Sequence, residues 1–312
     1  MHASGGPSMR SCSPLLIGIG GVGVEIASRV ASGSGVEVLA LDTDRRGLDG
    51  MVDGNRYLVG GQIVNGEGAG GNLNTAKACF KLSMDAIAPM ILGRPLVVTV
   101  SSSNGSTGIA GSVEMVQFLS RVGLPTFSVL IDDRRVDHNG QGPGAMAEVL
   151  LIGPLAPASS VKVGKEGMDV EELSSFLRNI CLGSFEGNEF PVPPSAWGSM
   201  KENGGSFELV QFDDVERGGN IRFGSPGIVV IRVPRRITVQ RSRELIEGLL
   251  TEPEGMGLGI LMSDTVDKVS VYAVVPRTQS PPPMPEQPRT HTAIQDLLGS
   301  DLEQDIGPTN DL

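Results

Sequence analysis

The sequence predicts an α/β protein built around a doubly wound parallel sheet, with a smaller α+β unit towards the C-terminus. From residue 14 onward, apolar runs of strand length alternate with helical patterns, the order expected when each strand is followed by a crossover helix. The runs are apolar on both faces, as in a sheet that helices cover on each side. A glycine-rich turn also joins the first run directly to a helix.

The main α/β part is predicted to hold five strands. They cover 15–20, 36–44, 95–100, 126–131 and 145–153. Predicted helices cover 24–30 and 109–122, and a third begins near Leu73. The smaller unit is predicted to hold strands at 227–234, 258–263 and 269–276 and a helix at 238–250.

Composition and patterning divide the chain into five segments. They are a flexible N-terminus at 1–13, a main α/β domain at 14–155, a connecting helix and Pro-rich loop at 156–206, a small α+β domain at 207–277, and a Pro-rich linker with a tail peptide at 278–312. The connecting helix is predicted over 169–185, with Asp169 as its N-cap. The tail carries an apolar cluster from Ile294 to Leu298 in an acidic setting, which is either a tethered motif for a protein partner or the end of an unstructured tail.

The charge balance argues against some classes of binding partner. The chain has 312 residues, with 25 Lys or Arg against 36 Asp or Glu, and a net charge of −11. This argues against sequence-independent binding to nucleic acid or anionic lipid, which needs a basic surface. No apolar run approaches the roughly 20 residues of a membrane span and no signal-peptide pattern opens the sequence, so we expect a cytoplasmic protein without direct membrane insertion. Three scattered cysteines and three histidines predict no protein metal site.

The turn after the first strand contains four glycines, Gly18, Gly20, Gly21 and Gly23. Glycine lets backbone N–H groups approach a phosphate, and the helix N-terminus that follows adds a favourable dipole. Asp42 ends the second predicted strand, where a Rossmann protein places its ribose-binding acid. The turn therefore also fits an NAD-dependent oxidoreductase, although the sequence shows no evident catalytic His or Lys.

Two further glycine-rich clusters lie at 65–72 and 102–111. A dinucleotide site needs one glycine turn, because one pyrophosphate crosses one helix N-terminus. Three turns at successive strand ends instead predict loops that converge on a longer polyphosphate at one edge of the sheet.

These motifs resemble the tubulin/FtsZ superfamily of filament-forming GTP-binding proteins. IGIGGVGVEIASRV resembles the first glycine loop of the family, VLALDTDRRGL its Asn-Thr-Asp segment, GEGAGGN its third loop, and NGSTGIAG its signature Gly-Gly-Gly-Thr-Gly-Thr/Ser-Gly. The last strand–helix–strand–strand unit and the Pro-rich tail are also similar to FtsZ. The resemblance covers residues 14–155 well and 225–277 moderately.

The resemblance implies a tubulin/FtsZ-like fold whose main domain binds GTP or GDP, with Mg²⁺ as a candidate companion ion. It implies a head-to-tail polymer with nucleotide between identical subunits and slow or assembly-dependent GTP hydrolysis. The residues that it places at the nucleotide are Gly18, Gly20, Gly21, Gly23, Asp44, Ala69, Gly70, Gly71, Asn72, Asn104, Gly105, Ser106, Thr107, Gly108 and, as a reader of the guanine edge, Asn179. Arg134 and Arg135 are either ribose or phosphate contacts or solvated loop charges.

The sequence departs from the family in two loops. Ile109 and Ala110 replace a hydroxyl residue and a glycine of the signature loop, which should loosen or distort its grip on phosphate. The hydrolysis loop of the family, Asn-x-Asp-x-x-Asp, reaches the nucleotide of the neighbouring subunit. Its best match, FELVQFDDV at 207–215, keeps only Asp214, for which the adjacent Asp213 could substitute. These two carboxylates are the candidates for orienting the attacking water.

Three other functions stay open from the sequence. The degraded hydrolysis loop favours a superfamily member that binds nucleotide without turning it over. The altered signature loop allows a filament scaffold that assembles without nucleotide. The first glycine turn with Asp42 allows an NAD-dependent oxidoreductase, which leaves the other two glycine clusters unexplained.

Overall fold

The computed structural model describes most of the main α/β part and the strands of the C-terminal part. The described residues are 13–51, 53–132, 152, 155–162, 168–185, 190–203, 206–213, 227–235, 256–264, 266 and 268–276. All of them fall within one unit, Met1–Arg277, and the second unit, Thr278–Leu312, lies outside them. The tail cluster from Ile294 to Leu298 is therefore not described.

The described residues form ten strands and seven helices, which alternate along much of the first half of the chain. The strands are β1 (Leu15–Ile19), β2 (Glu37–Asp42), β3 (Asn55–Leu58), β4 (Val97–Ser102), β5 (Thr126–Asp132), β6 (Ala158–Lys162), β7 (Ser206–Asp213), β8 (Gly227–Pro234), β9 (Met256–Ser263) and β10 (Ser270–Pro276). The helices are α1 (Gly20–Ala31), α2 (Arg45–Asp49), α3 (Gly61–Val64), α4 (Leu73–Ile91), α5 (Ser106–Arg121), α6 (Val170–Gly183) and α7 (Pro194–Asn203).

The described strands form one sheet in the order β3-β2-β1-β4-β5-β6-β7-β10-β8-β9. All pairs from β3 to β7 are parallel, β10 is antiparallel to β7 and β8, and β8 is parallel to β9. The predicted α/β fold class is confirmed. The strand order reverses at β1, which lies between β2 and β4, and ligand crevices open outside the carboxyl ends of strands at such a switch point.

Strand β1 shows why the sheet is covered on both faces. All five of its residues are buried. Leu16 belongs to the same core as Ile26 of α1, whereas Ile17 belongs to a second core with Phe80 of α4. Because successive side chains of a strand point to opposite faces, one apolar run supports helices on both sides of the sheet.

The strongly apolar elements lie where the sequence predicts them. The strands predicted at 15–20, 36–44, 95–100 and 126–131 correspond to β1, β2, β4 and β5, and those predicted at 227–234, 258–263 and 269–276 to β8, β9 and β10. The predicted helix over 169–185 is α6. Its Asp169 cap is confirmed as a capping box, in which Asp169 Oδ1 accepts from Glu172 N at 2.7 Å and Glu172 Oε2 accepts from Asp169 N at 2.9 Å.

The prediction of a Pro-rich loop after the connecting helix is wrong in part, because Pro194–Asn203 is helix α7. Pro194 occupies the first helical position, where its missing N–H leaves no hydrogen bond unmade. Trp197 and Met200, one helical turn apart, are both buried and anchor the helix to the core. The sequence did not predict strands β3, β6 and β7 or the short helices α2 and α3.

Two predicted elements fall largely outside the described residues. The strand predicted at 145–153 is described only at Ile152, which is buried and helical. The helix predicted at 238–250 lies wholly outside them. The division into domains at 14–155 and 207–277 stays a prediction. Among the described residues, no helix has the length and apolar character needed to cross a membrane.

Candidate functional site

A cavity of about 530 Å³ opens at the carboxyl ends of β1, β2 and β4. Its walls come from the turn after β1, the segment after β2, the loop before α4 and the turn after β4. The residues that line it are Ile19–Val22, Asp42–Asp44, Gly47, Glu67–Gly71, Ser102 and Asn104–Gly108. The three glycine-rich segments therefore meet at one edge of the sheet, as the sequence predicts.

Two helix N-termini face this cavity without a side-chain cap. The N-cap residues, Ile19 of α1 and Gly105 of α5, make no side-chain hydrogen bond to their helices. The two ends lie side by side, since a Cβ added to Gly20 would stand 3.1 Å from the backbone nitrogen of Gly108. Gly20 also has a φ of +71°, which favours glycine. First-turn N–H groups and the two helix dipoles together make this wall of the cavity suited to an anion.

Helix α4 differs from these two helices at its N-terminus. Asn72 is its N-cap, and Asn72 Oδ1 accepts a hydrogen bond from Thr75 N at 3.0 Å. Asn72 is exposed and does not line the cavity. The structure gives it the task of capping α4, whereas the sequence suggested a nucleotide contact.

Thr43 connects three walls of the cavity. The sequence resemblance includes it within VLALDTDRRGL but gives it no role of its own. Its side chain is fully buried. Thr43 Oγ1 accepts a hydrogen bond from Ala69 N at 3.2 Å and lies 2.8 Å from Thr107 Oγ1, in a hydrogen bond whose donor is either hydroxyl. The segment after β2 is therefore joined to both the 65–72 loop and the first turn of α5. A Thr directly after a strand that ends in an acid was the available signal.

The described lining residues include three carboxylates and no Lys or Arg. Burial raises the pKa of Asp42, although backbone hydrogen bonds from Asp44 and Thr43 oppose that shift. Asp44 has a lowered pKa because its side chain is hydrogen-bonded by Arg46, with Arg46 Nη2 2.8 Å from Asp44 Oδ2. Glu67 is the third acid. Among the described lining residues, the groups that can attract an anion are therefore mainly helix ends and backbone N–H groups.

Gly18 and Gly23 do not line the cavity. A Cβ at Gly18 would overlap the backbone of Gly23, and one at Gly23 would overlap the carbonyl oxygen of Val100. They are therefore packing positions that let α1 lie close against β1 and β4. Gly20 and Gly21 are the glycines of this turn that line the cavity.

The altered positions of the signature loop also point away from the cavity. Ile109 and Ala110 are both buried within α5, and neither lines the cavity. Ala110 packs in a small cluster with Ala69 and Ala76. The two departures therefore lie in the buried side of α5, whereas Asn104 to Gly108 line the cavity.

Asn179 is not brought to the cavity. It lies on α6, is buried, and its Nδ2 donates to the carbonyl oxygen of Ser175 at 2.7 Å. Its amide is thus engaged within its own helix. No other described residue stands out as a reader of a base.

The candidate catalytic segment is a strand where we expected a loop. Asp213 is the last residue of β7, and its backbone pairs with Ser270 of β10. Asp214, Arg134 and Arg135 lie outside the described residues. The roles suggested for these four residues stay predictions.

The chain is similar in sequence to FtsZ and in structure to FtsZ and CetZ2. It is 25% identical over 143 residues to cell division protein FtsZ 2 of Methanocaldococcus jannaschii, a match that covers 43% of this chain and 37% of that protein. In structure it is similar to an empty FtsZ dimer from M. jannaschii, with a TM-score of 0.68, 16% identity, and coverage of 86% of this chain and 89% of that one. It is also similar to GTPγS-bound protofilament CetZ2 from Haloferax volcanii, with a TM-score of 0.59, 16% identity, and coverage of 85% and 92%.

No family model matches the chain. The sequence match spans little more than a third of the curated relative, and the two structural similarities, at 16% identity, concern the fold. The predicted tubulin/FtsZ-like fold is confirmed.

Proposed function

We propose that this chain, which has a tubulin/FtsZ-like fold and matches FtsZ sequences at low identity, is a member of the tubulin/FtsZ superfamily and binds a guanine nucleotide in the glycine-lined cavity. The observation that carries the proposal is the pair of uncapped helix N-termini, α1 and α5, side by side in one wall. The cavity, at about 530 Å³, is within the size range of small-ligand sites.

Each glycine segment has a role in this proposal. The first-turn N–H groups of α1 and α5 hold the phosphates, and the hydroxyl of Thr107 donates to a phosphate oxygen. Gly70 and Gly71 also line the cavity, and a Cβ at either position would meet no atom within 4 Å. Their open backbone is available to the terminal phosphate of a triphosphate.

We expect nucleotide affinity to depend strongly on Mg²⁺. The described lining brings three carboxylates and no basic side chain towards a polyphosphate. No group of three or more metal-binding side chains is found among the described residues, so the ion would be held mainly by phosphate oxygens and water, as Mg²⁺ commonly is. A fluorescent GTP analogue should be titrated with the protein, once with Mg²⁺ and once with excess EDTA. We expect the affinity for the analogue to be at least about tenfold lower in EDTA, or ~1.4 kcal/mol. Equal affinity in both conditions would contradict this expectation.

We further propose that the chain polymerises head to tail. Of the similar proteins, CetZ2 is described as a GTPγS-bound protofilament. A heterologous interface that does not close on itself produces an open filament. Asp213 and Asp214 of one subunit are the proposed carboxylates for the nucleotide of the next. We propose that hydrolysis is slow or depends on assembly. Because Asp213 lies at the end of a strand and not in a loop, nucleotide binding without hydrolysis is the second candidate.

Identification of co-purified nucleotide tests the binding proposal directly. Mass spectrometry of the denatured protein should detect GDP or GTP, and a thermal shift should occur with GTP and not with NAD. The absence of guanine nucleotide, with a shift produced by NAD, would instead support the oxidoreductase.

Sedimentation separates the filament proposals. We expect more pelleting with GTPγS than with GDP or without nucleotide. Phosphate release from the pelleted protein then distinguishes slow hydrolysis from none. Equal pelleting in all three conditions would indicate a scaffold that assembles without nucleotide.

A further inference from the structure

The loop Asn65–Asn72 has an unusual backbone with limited packing. Five of its residues have positive φ: Asn65, Gly66, Gly68, Gly70 and Gly71. Ala69 is its one buried non-glycine residue. A backbone of this kind gains little from side-chain burial, so its position depends on hydrogen bonds to neighbouring segments.

Those hydrogen bonds come from the segment after β2. Arg45 N donates to the carbonyl oxygen of Gly66 at 2.9 Å, and Gly68 N donates to that of Thr43 at 3.1 Å. Both bonds hold the first half of the loop. The turn that faces the cavity, Ala69–Gly71, is tied to the same segment by the bond from Ala69 N to Thr43 Oγ1.

The hydroxyl of Thr43 has a single hydrogen to donate. Because Ala69 N already donates to Thr43 Oγ1, that hydrogen can point towards Thr107 Oγ1, which is 2.8 Å away. Thr107 then accepts from Thr43 and directs its own hydrogen into the cavity. The three donors Ala69 N–H, Thr43 O–H and Thr107 O–H then form one series of hydrogen bonds, in which each donor points towards an anion at α5. Hydrogen bonds arranged in this way strengthen one another.

We propose that Thr43 is a positioning residue that couples phosphate bound at α5 to the order of the Ala69–Gly71 turn. The inference rests on the proposed nucleotide site and deepens it. A phosphate at α5 orients Thr107, Thr107 fixes the hydroxyl of Thr43, and Thr43 holds Ala69. The turn is then in place for a terminal phosphate, so Thr43 favours triphosphate over diphosphate.

The test compares Thr43→Val with Thr43→Ser. Valine keeps the shape of threonine and removes the hydroxyl, whereas serine keeps the hydroxyl. We expect Thr43→Val to weaken GTPγS binding about tenfold and GDP binding less than about threefold, because it removes both hydrogen bonds of a buried hydroxyl, the one from Ala69 N and the one with Thr107. Thr43→Ser should stay within about threefold of the natural protein for both nucleotides.

Amide hydrogen exchange distinguishes this positioning role from a general loss of packing in the variants. In the natural protein, GTPγS should slow amide exchange both in the first turn of α5 and in 69–71. In Thr43→Val the slowing should persist at α5 and disappear at 69–71. Thr107→Val is the second variant, for use if Thr43→Val does not fold: it keeps the Ala69 anchor and should lose the slowing at 69–71 on nucleotide addition.

The two failures are distinguishable. Equal protection of 69–71 by GTPγS in the natural protein and both valine variants overturns the role of Thr43 and leaves the nucleotide site standing. An equal loss of GTPγS and GDP affinity in Thr43→Val also overturns it. No binding of either nucleotide by the natural protein overturns the proposed function and this inference together.

Discussion

Replacing Gly105 with aspartate is expected to remove most of the guanine-nucleotide affinity while leaving the fold as stable as before, or more so. Gly105 is the N-cap of α5, with extended backbone angles of φ −110° and ψ 134° that any residue adopts. A Cβ at this position meets no atom within 4 Å. The substitution therefore introduces no overlap, and its effects come from the carboxylate.

The carboxylate acts in opposite directions on stability and on binding. Aspartate is a favoured N-cap and interacts well with the helix dipole, so α5 should be unchanged or stabilised by up to about 1 kcal/mol. The same carboxylate occupies the N–H groups proposed to hold phosphate and adds a negative charge beside it. Two charges about 4 Å apart at an effective dielectric constant of about 20 repel by ~4 kcal/mol. Allowing for relaxation, we expect affinity to fall at least about 100-fold.

Gly105→Asn is the matched control. Asparagine caps a helix about as well as aspartate and carries no charge, so the difference between the two variants isolates repulsion of phosphate. Titration of a fluorescent GTP analogue measures affinity, and circular dichroism without nucleotide measures thermal stability. Similar affinities for the aspartate and asparagine variants would place the phosphates away from α5.

The sequence predicts the cavity well because its construction is local. Gly20, Gly70 and Gly71 have positive φ, which only glycine adopts readily, so the residue type itself reports the backbone. The order strand, glycine turn, helix places the turns after β1 and β4 at the carboxyl edge of a parallel sheet. The 65–72 loop follows α3 instead, and hydrogen bonds to the segment after β2 hold it there. Spacing alone cannot tell a cavity-lining glycine from a packing one, so the sequence also predicts Gly18 and Gly23 at the nucleotide. Their roles depend on the distance between α1 and the strands behind it.

Elements without an apolar pattern were not predictable in this way. Strand β3, NRYL, is partly exposed, and β6, ASSVK, is short and rich in small polar residues. Both are strands because the sheet supplies pairing partners, β2 for the first and β5 with β7 for the second. Tertiary pairing here outweighs local propensity.

The sequence also did not predict contacts between segments that are distant along the chain. Thr43 and Thr107 are 64 residues apart in sequence, and no local pattern announces their hydrogen bond. The position of Asn179 away from this cavity has a related reason. The sequence predicts the helix that carries it, but not which neighbour each face of that helix meets.

Replacing Trp197 with alanine is expected to destabilise the protein by about 3–5 kcal/mol, because it removes one of the largest fully buried side chains of the described core. Trp197 is 1% exposed on α7, and its ring centroid lies 5.7 Å from that of Phe127 on β5. It belongs to the core cluster that also contains Ile228 of β8. Truncation would therefore leave a cavity where α7, the main sheet and the C-terminal strands share one core.

Trp197→Phe is the control that separates packing from polarity. Among the described residues, the indole Nε1 of Trp197 is buried without a hydrogen-bond partner, so phenylalanine removes no bond and keeps an aromatic ring near Phe127. We expect a loss below about 2 kcal/mol for phenylalanine, since part of the lost packing is offset by removing an unpaired polar group. Because Trp197 is the single tryptophan of the chain, urea unfolding should be followed by circular dichroism. Alanine and phenylalanine variants of equal stability to the natural protein would mean that α7 is not anchored by this ring, and that the stretch behaves as the loop which its prolines suggest.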